Sequence, residues 1–180
     1  METTIGESET SFDSILSEYN IYEFTDVNDA VIFENNAIIN GTDNSDTIKS
    51  TGTNVTINGN GENDSITTTG SKALVNGGSG NDTILSGGFN SKIYGNEGDD
   101  IIYVEGKQTS VDGGSGSDTI VVNNSDVTVN GGGNFDGLPV IDTIIISSDS
   151  EDVVVNDFDK DDILNLSSYN ASDLSAGIYQ

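Results

Sequence analysis

The pair Asn-Gly, or a variant of it, recurs every eighteen residues: Asn40-Gly41, Asn58-Gly59, Asn76-Gly77, Tyr94-Gly95, Asp112-Gly113 and Asn130-Gly131. An aspartate follows each of the first five glycines by five positions (Asp46, Asp64, Asp82, Asp100 and Asp118). An isoleucine follows each aspartate by two (Ile48, Ile66, Ile84, Ile102 and Ile120). A fixed period of this length admits few folds, because each unit must be one turn of an array whose neighbours bury its apolar side.

Each eighteen divides into two nines. The first, as in GGSGNDTIL (77–85), is glycine-rich, with the aspartate sixth and the aliphatic residue eighth. The second, as in STGTNVTIN (50–58), has aliphatics eighth (Ile57, Val75, Ile93, Val111 and Val129) and no acid sixth. Its third place holds Gly52, Gly70, Gly88, Gly106 or Asn124, which suits a turn position of positive φ. Apolar spacing of three and four is missing, so these segments are not helices. Short β-branched bursts between glycine turns predict strands of about three residues. Each coil is then strand, turn, strand, turn, and coils stack at about 4.8 Å by strand pairing. The expected fold is all-β, a parallel β-solenoid with eighteen-residue coils and two Ile/Val columns in a thin core.

Composition supports an unusual source of stability. Five basic residues stand against 31 acidic ones, a net charge of -26, and apolar residues make up only 33% of the chain. That balance approaches the signature of disorder, so something besides an apolar core must hold the coils. Such a charge repels nucleic acid and anionic membrane surfaces, and no apolar run is long enough for membrane insertion. The absence of cysteine and histidine removes disulfides, thiolate chemistry, the usual zinc sites and histidine-based catalysis.

Stacking puts Asp46, Asp64, Asp82, Asp100 and Asp118 in one column. Two carboxylates about 5 Å apart repel by roughly 3 kcal/mol at an effective dielectric of 20. A divalent cation between successive turns turns that repulsion into attraction. Glycine turns leave backbone carbonyls free to face it, and carbonyl with carboxylate oxygen is hard-cation chemistry. The second nines lack the acid, so loading is expected on one side only. In the sixth coil, GGGNFDGLPVIDTI (131–144) carries about six extra residues, and Asp136 or Asp142 could keep the count. Asp142 is preferred, with 134–140 bulging out, because Pro139 cannot serve an interior strand.

GGSGNDTIL (77–85) and GGSGSDTIV (113–121) match G-G-x-G-x-D-x-U-x at every defined place, and GNEGDDIIY (95–103) misses only the second glycine. Over about residues 37–166 the chain therefore resembles the RTX, or hemolysin-type, calcium-binding nonapeptide repeat. The resemblance implies a right-handed β-roll binding about four to six Ca²⁺ ions between successive turns. The ligands it implies are the aspartates above, Asp142 among them, with three stretches of turn backbone. These are Gly77, Gly78, Ser79 and Gly80; Gly95, Asn96, Glu97 and Gly98; and Gly113, Gly114, Ser115 and Gly116. GNGEND (59–64) has Glu62 and GTDNSD (41–46) has Asn44 at the fourth, glycine place, so weaker sites are expected there. The resemblance also implies a structural module of a secreted or surface bacterial protein, exported without an N-terminal signal and folding on meeting calcium outside.

At the ends, Phe12, Ile15, Leu16 and Tyr19 predict a short capping helix, and residues 27–39 a degenerate coil. The expected division is a cap over 1–36, repeats over 37–152, and a closing coil and tail over 153–180. The Asn ladder (Asn40, Asn58, Asn76, Asn130) is read as stacked amides rather than ligands. The outward row Leu85, Tyr103, Val121 and Ile145 is an apolar stripe for a protein or surface ligand. Thr47, Ser65, Thr83, Thr119 and Thr143 nearly form an ice-binding row, broken by Ile101. A carbohydrate-acting enzyme is disfavoured, since each regular aspartate already has a role in the column.

Overall fold

The computed structural model describes residues 20–24, 30–133, 140–147 and 149–168. Sixteen short strands alternate between two eight-stranded parallel sheets. The odd-numbered strands β1 (Asn20–Glu23), β3 (Ala37–Asn40), β5 (Thr56–Gly61), β7 (Leu74–Ser79), β9 (Lys92–Glu97), β11 (Ser110–Ser115), β13 (Thr128–Gly132) and β15 (Val154–Asn156) form one. The even-numbered strands β2 (Ala30–Ile32), β4 (Thr47–Ser50), β6 (Ser65–Thr68), β8 (Thr83–Ser86), β10 (Ile101–Val104), β12 (Thr119–Val122), β14 (Thr143–Ile146) and β16 (Ile163–Asn165) form the other. Register follows the period: Ile84 pairs with Ile102, Ile102 with Ile120, and Val75 with Ile93.

The solenoid is thus the one the period predicts, and no helix occurs among the described residues. The capping helix expected over Phe12–Tyr19 lies outside them. Ala37 and Ile39 of the degenerate coil are fully buried in β3, and Asn20–Glu23 pairs beyond it.

The core is two facing columns. Ile48, Ile66, Ile84, Ile102, Ile120 and Ile144 come from the even sheet; Ile39, Ile57, Val75, Ile93, Val111 and Val129 come from the odd one. Each fully buried side chain of this size contributes about 1.5–3 kcal/mol. A second inner column changes character along the axis, from Ser50, Thr68 and Ser86 to Val104, Val122 and Ile146.

The turn opposite the aspartates corrects one expectation. Gly52, Gly70, Gly88 and Gly106 do not take positive φ. A methyl group on each would collide with a carbonyl of the preceding coil, that of Glu34, Gly52, Gly70 and Gly88 in turn. Coil-to-coil approach, not conformation, demands glycine there. The left-handed place falls two residues later, on Asn54, Lys72, Asn90, Gln108 and Asp126 at φ 55–60°. The N–H of each of these donates to the next coil, as Asn90 does to Lys107 O at 2.9 Å. This turn satisfies its own backbone.

Candidate metal centre

On the other side the aspartates stack as a column of buried carboxyls. Asp46, Asp64, Asp82, Asp100, Asp118 and Asp142 are each at most 3% exposed. Asp142 holds the sixth place, since Asp118 N–H donates to its Oδ1 at 2.9 Å and Thr143 pairs with Thr119. Asp136 and most of the expected bulge, 134–139, lie outside the described residues.

The two oxygens of each carboxylate have separate surroundings. Each Oδ1 accepts the backbone N–H of the aspartate one coil earlier: Asp64 from Asp46 (2.8 Å), Asp82 from Asp64 (2.7 Å), Asp100 from Asp82 (2.7 Å) and Asp118 from Asp100 (2.8 Å). The Oδ2 atoms of Asp64, Asp82, Asp100 and Asp118 are buried and have no hydrogen-bond partner. Buried polar atoms in native proteins are nearly always paired, so four orphans in one row require an explanation.

The space beside them supplies it. A methyl group built on Gly59, Gly77, Gly95 or Gly113 would fall between the orphan Oδ2 of its own turn and the carbonyl oxygen of Gly77, Gly95, Gly113 or Gly131 in the next coil. It would approach both far inside ordinary contact. Each glycine therefore keeps open a cradle walled by a carboxylate on one side and a carbonyl on the other. Among the described residues no group of three acidic side chains is placed to hold a metal ion by itself. The donor set is one carboxylate oxygen with backbone carbonyls, which suits a hard cation with flexible oxygen coordination.

Electrostatics agrees. Burial, the largest cause, lifts these carboxyls from an ordinary 3.8 to about 7 for Asp64 and Asp100, about 6 for Asp82 and Asp142, and about 8 for Asp118. The hydrogen bond to each Oδ1 opposes the rise. Neighbouring carboxylates add to it for every one of these except Asp82. A bound cation inverts this preference, because its charge becomes the largest in the site.

The column closes at both ends. Asp46 Oδ2 accepts the N–H of Thr42 at 2.6 Å, and Thr42 Oγ1 also bonds it at 3.1 Å. Asn44, at the glycine place, does not take positive φ. Asp162 extends the ladder, its Oδ1 accepting Asp142 N–H at 3.1 Å, while its Oδ2 accepts Asp159 N–H at 2.8 Å. The terminal carboxylates are thus satisfied by their own turns. Beside Gly131 the three atoms nearest a methyl group all belong to Asp142, so among the described residues the last cradle seen with two walls is that of Asp118 and Gly131 O.

Of the expected backbone ligands, Gly78, Gly80, Gly98, Gly114 and Gly116 have φ of 111–126°, and Asn96 has φ 79°. Glu62 is held at φ 62°, a left-handed conformation costing about 1–2 kcal/mol outside glycine. Ser79 and Glu97 face each other across β7 and β9, and Ser115 continues that row in β11.

Two side-chain ladders flank the cradles. Asn58 Nδ2 donates to Asn40 Oδ1 (2.6 Å) and Asn76 Nδ2 to Asn58 Oδ1 (2.7 Å), as stacked amides. At motif position five, Asn63, Asn81 and Asp99 accept the N–H of Asn81, Asp99 and Ser117 one coil on, at 2.8–3.0 Å. Sequence reading missed this second ladder. The fixed phase of Asn63, Asn81 and Asp99 was the available signal for the ladder. Leu85, Tyr103, Val121 and Ile145 share one register row on the even sheet, with Tyr103 the most exposed at 38%.

The model of one family, the RTX calcium-binding nonapeptide repeat (4 copies), matches residues 40–70, 76–106 and 112–134. No curated protein and no solved structure matches the chain.

Proposed function

Since residues 40–70, 76–106 and 112–134 match the RTX calcium-binding nonapeptide repeat family, we propose that the chain is a structural module whose rolled state is switched on by calcium. The observation that carries this reading is the row of four orphaned Oδ2 atoms, each opposite a glycine carbonyl. Oδ2 of Asp64, Asp82, Asp100 and Asp118 would hold the ions with the carbonyls of Gly77, Gly95, Gly113 and Gly131 and their turn backbone. When bound, calcium supplies the charge that ties successive turns together. The residues themselves set the register through Oδ1 and keep each cradle open through glycine.

Because ions bind the roll and not the unrolled chain, each site adds RT ln(1 + [L]/Kd), about 2.7 kcal/mol at a hundredfold excess over Kd. Four such sites, about 11 kcal/mol together, are comparable with the whole stability of an ordinary small domain, about 5–15 kcal/mol. In their absence the charge of -26 opposes compaction. This switch fits a secreted or surface protein that stays unrolled where calcium is scarce and rolls where it is abundant. The role is that of a stalk or carrier, without catalysis.

The test is far-UV circular dichroism of chelator-stripped protein during calcium titration, with bound ions counted in parallel. A coil-to-β transition saturating near four ions is expected, and magnesium, which demands tight octahedral geometry, should not produce it. A chain fully β-structured in chelator and indifferent to calcium refutes the reading.

A further inference from the structure

Of the five Asn-Gly pairs in the chain, four recur with the repeat, 40–41, 58–59, 76–77 and 130–131 (the fifth is 60–61), and these four carry a chemistry unrelated to ion binding. An asparagine side chain followed by glycine is open to attack by the glycine's backbone nitrogen, because no Cβ shields that nitrogen and the flexible backbone lets the two atoms meet. In that reaction the glycine N–H loses its proton, a bond forms from nitrogen to the asparagine Cγ, the Cγ–NH₂ bond breaks and ammonia leaves. Water then opens the cyclic imide at either carbonyl, leaving aspartate or, with the backbone rerouted through the side chain, iso-aspartate. No oxidant or catalyst is needed.

The roll blocks each requirement. All four asparagines lie in paired extended strands: Asn40 in β3, Asn58 in β5, Asn76 in β7 and Asn130 in β13. Their amides are bonded along the axis, Asn40 to Glu23 (2.8 Å), Asn58 to Asn40 (2.6 Å), Asn76 to Asn58 (2.7 Å) and Asn130 to Asp112 (3.2 Å). The Cγ is thereby held away from its own chain. The attacking nitrogen is also engaged: Gly41 N–H donates to Asn58 O at 2.8 Å, and the same parallel register, Asn58 with Asn76, runs one coil on. Two of these glycines, Gly59 and Gly77, are among those that keep the cradles open, so an iso-aspartate linkage there would lengthen the backbone beside an orphaned Oδ2.

We propose that these Asn-Gly pairs are imide-forming modification sites guarded by the roll, so that the chain chemically records its time unrolled and loses, site by site, the ability to roll again. That calcium sets the unrolled time rests on the function proposed above; the guarding itself does not.

The experiment incubates the full chain at mildly alkaline pH in calcium, in chelator, and in calcium with urea. Peptide mass spectrometry then follows the exchange of NH₂ for OH at Asn58 and Asn76. Asn63 and Asn81, each followed by aspartate, serve as internal references. Conversion at Asn58 and Asn76 should be slow in calcium and at least tenfold faster in urea, outpacing the references there. Fast conversion in chelator supports both readings; slow conversion in chelator with fast conversion in urea upholds the guarding and removes calcium from its control. Equal rates in calcium and urea, or no conversion in urea, overturn the proposal. Aged chains returned to calcium should recover β-signal only in the fraction free of iso-aspartate, and full recovery by modified chains overturns the loss of re-rolling.

Discussion

Replacing Asp100 by asparagine separates the two oxygens of one carboxylate. The new side chain retains an Oδ1 that accepts Asp82 N–H, the bond that now measures 2.7 Å. In place of the orphaned Oδ2 it presents an N–H donor beside the Gly113 carbonyl. Without ions, the substitution removes a buried charge standing about 4.8 Å from Asp82 and Asp118, each repulsion being about 3 kcal/mol at an effective dielectric of 20. The variant should therefore be more stable than the parent in chelator, by up to about 6 kcal/mol at alkaline pH, where both neighbouring carboxyls are ionised. With ions, one cradle is lost. Four equal sites add about 11 kcal/mol at a hundredfold excess over Kd and three add about 8, so the lead in chelator is roughly halved there and narrows further as calcium rises. Urea unfolding midpoints by circular dichroism, in chelator and across calcium concentrations, read both effects. Asp126→Asn is the control, because Asp126 is exposed at φ 58° in the opposite turn. The reasoning fails if Asp100→Asn is no more stable in chelator and its calcium increment equals the parent's.

Thr42→Gly with Asn44→Gly converts GTDNSD to the full G-G-x-G-x-D pattern and removes the Thr42 hydroxyl from Asp46; ion counting should show one additional site. Gly95→Ala should cut the calcium increment because its methyl fills a cradle. Gly88→Ala, whose methyl strikes the Gly70 carbonyl, should lower stability by a similar amount with or without calcium; identical calcium responses in the two variants would contradict this assignment. The buried carboxyls have folded values of about 6 to 8 against an ordinary 3.8, so the metal-free roll keeps protons that the unrolled chain releases. Its stability should be fully present below the unfolded value and decline as pH rises through the folded ones. Calcium affinity should rise over the same window as ions displace those protons, which titrations at pH 5 and pH 8 would measure (about one unit below its lower end and at its upper end).

The period alone determined the fold. Residues eighteen apart must stack, and β-branched residues at the eighth place of each nine must face inward, so the strands, both Ile/Val columns and the aspartate row follow from spacing. It also placed Asp142 ahead of Asp136, since a proline cannot sit in an interior strand. What spacing cannot carry is orientation within a stack. Only the tertiary structure decided that Oδ1 staples the coils while Oδ2 is left to a cation, because the two oxygens are the same residue in sequence. It decided that Thr42 and the Asp159 N–H close the column at its ends. It also decided that Gly52, Gly70, Gly88 and Gly106 answer to a carbonyl one coil away rather than to their own φ. Each of these depends on distances between atoms of neighbouring coils, which exist only once the coils have been laid on one another.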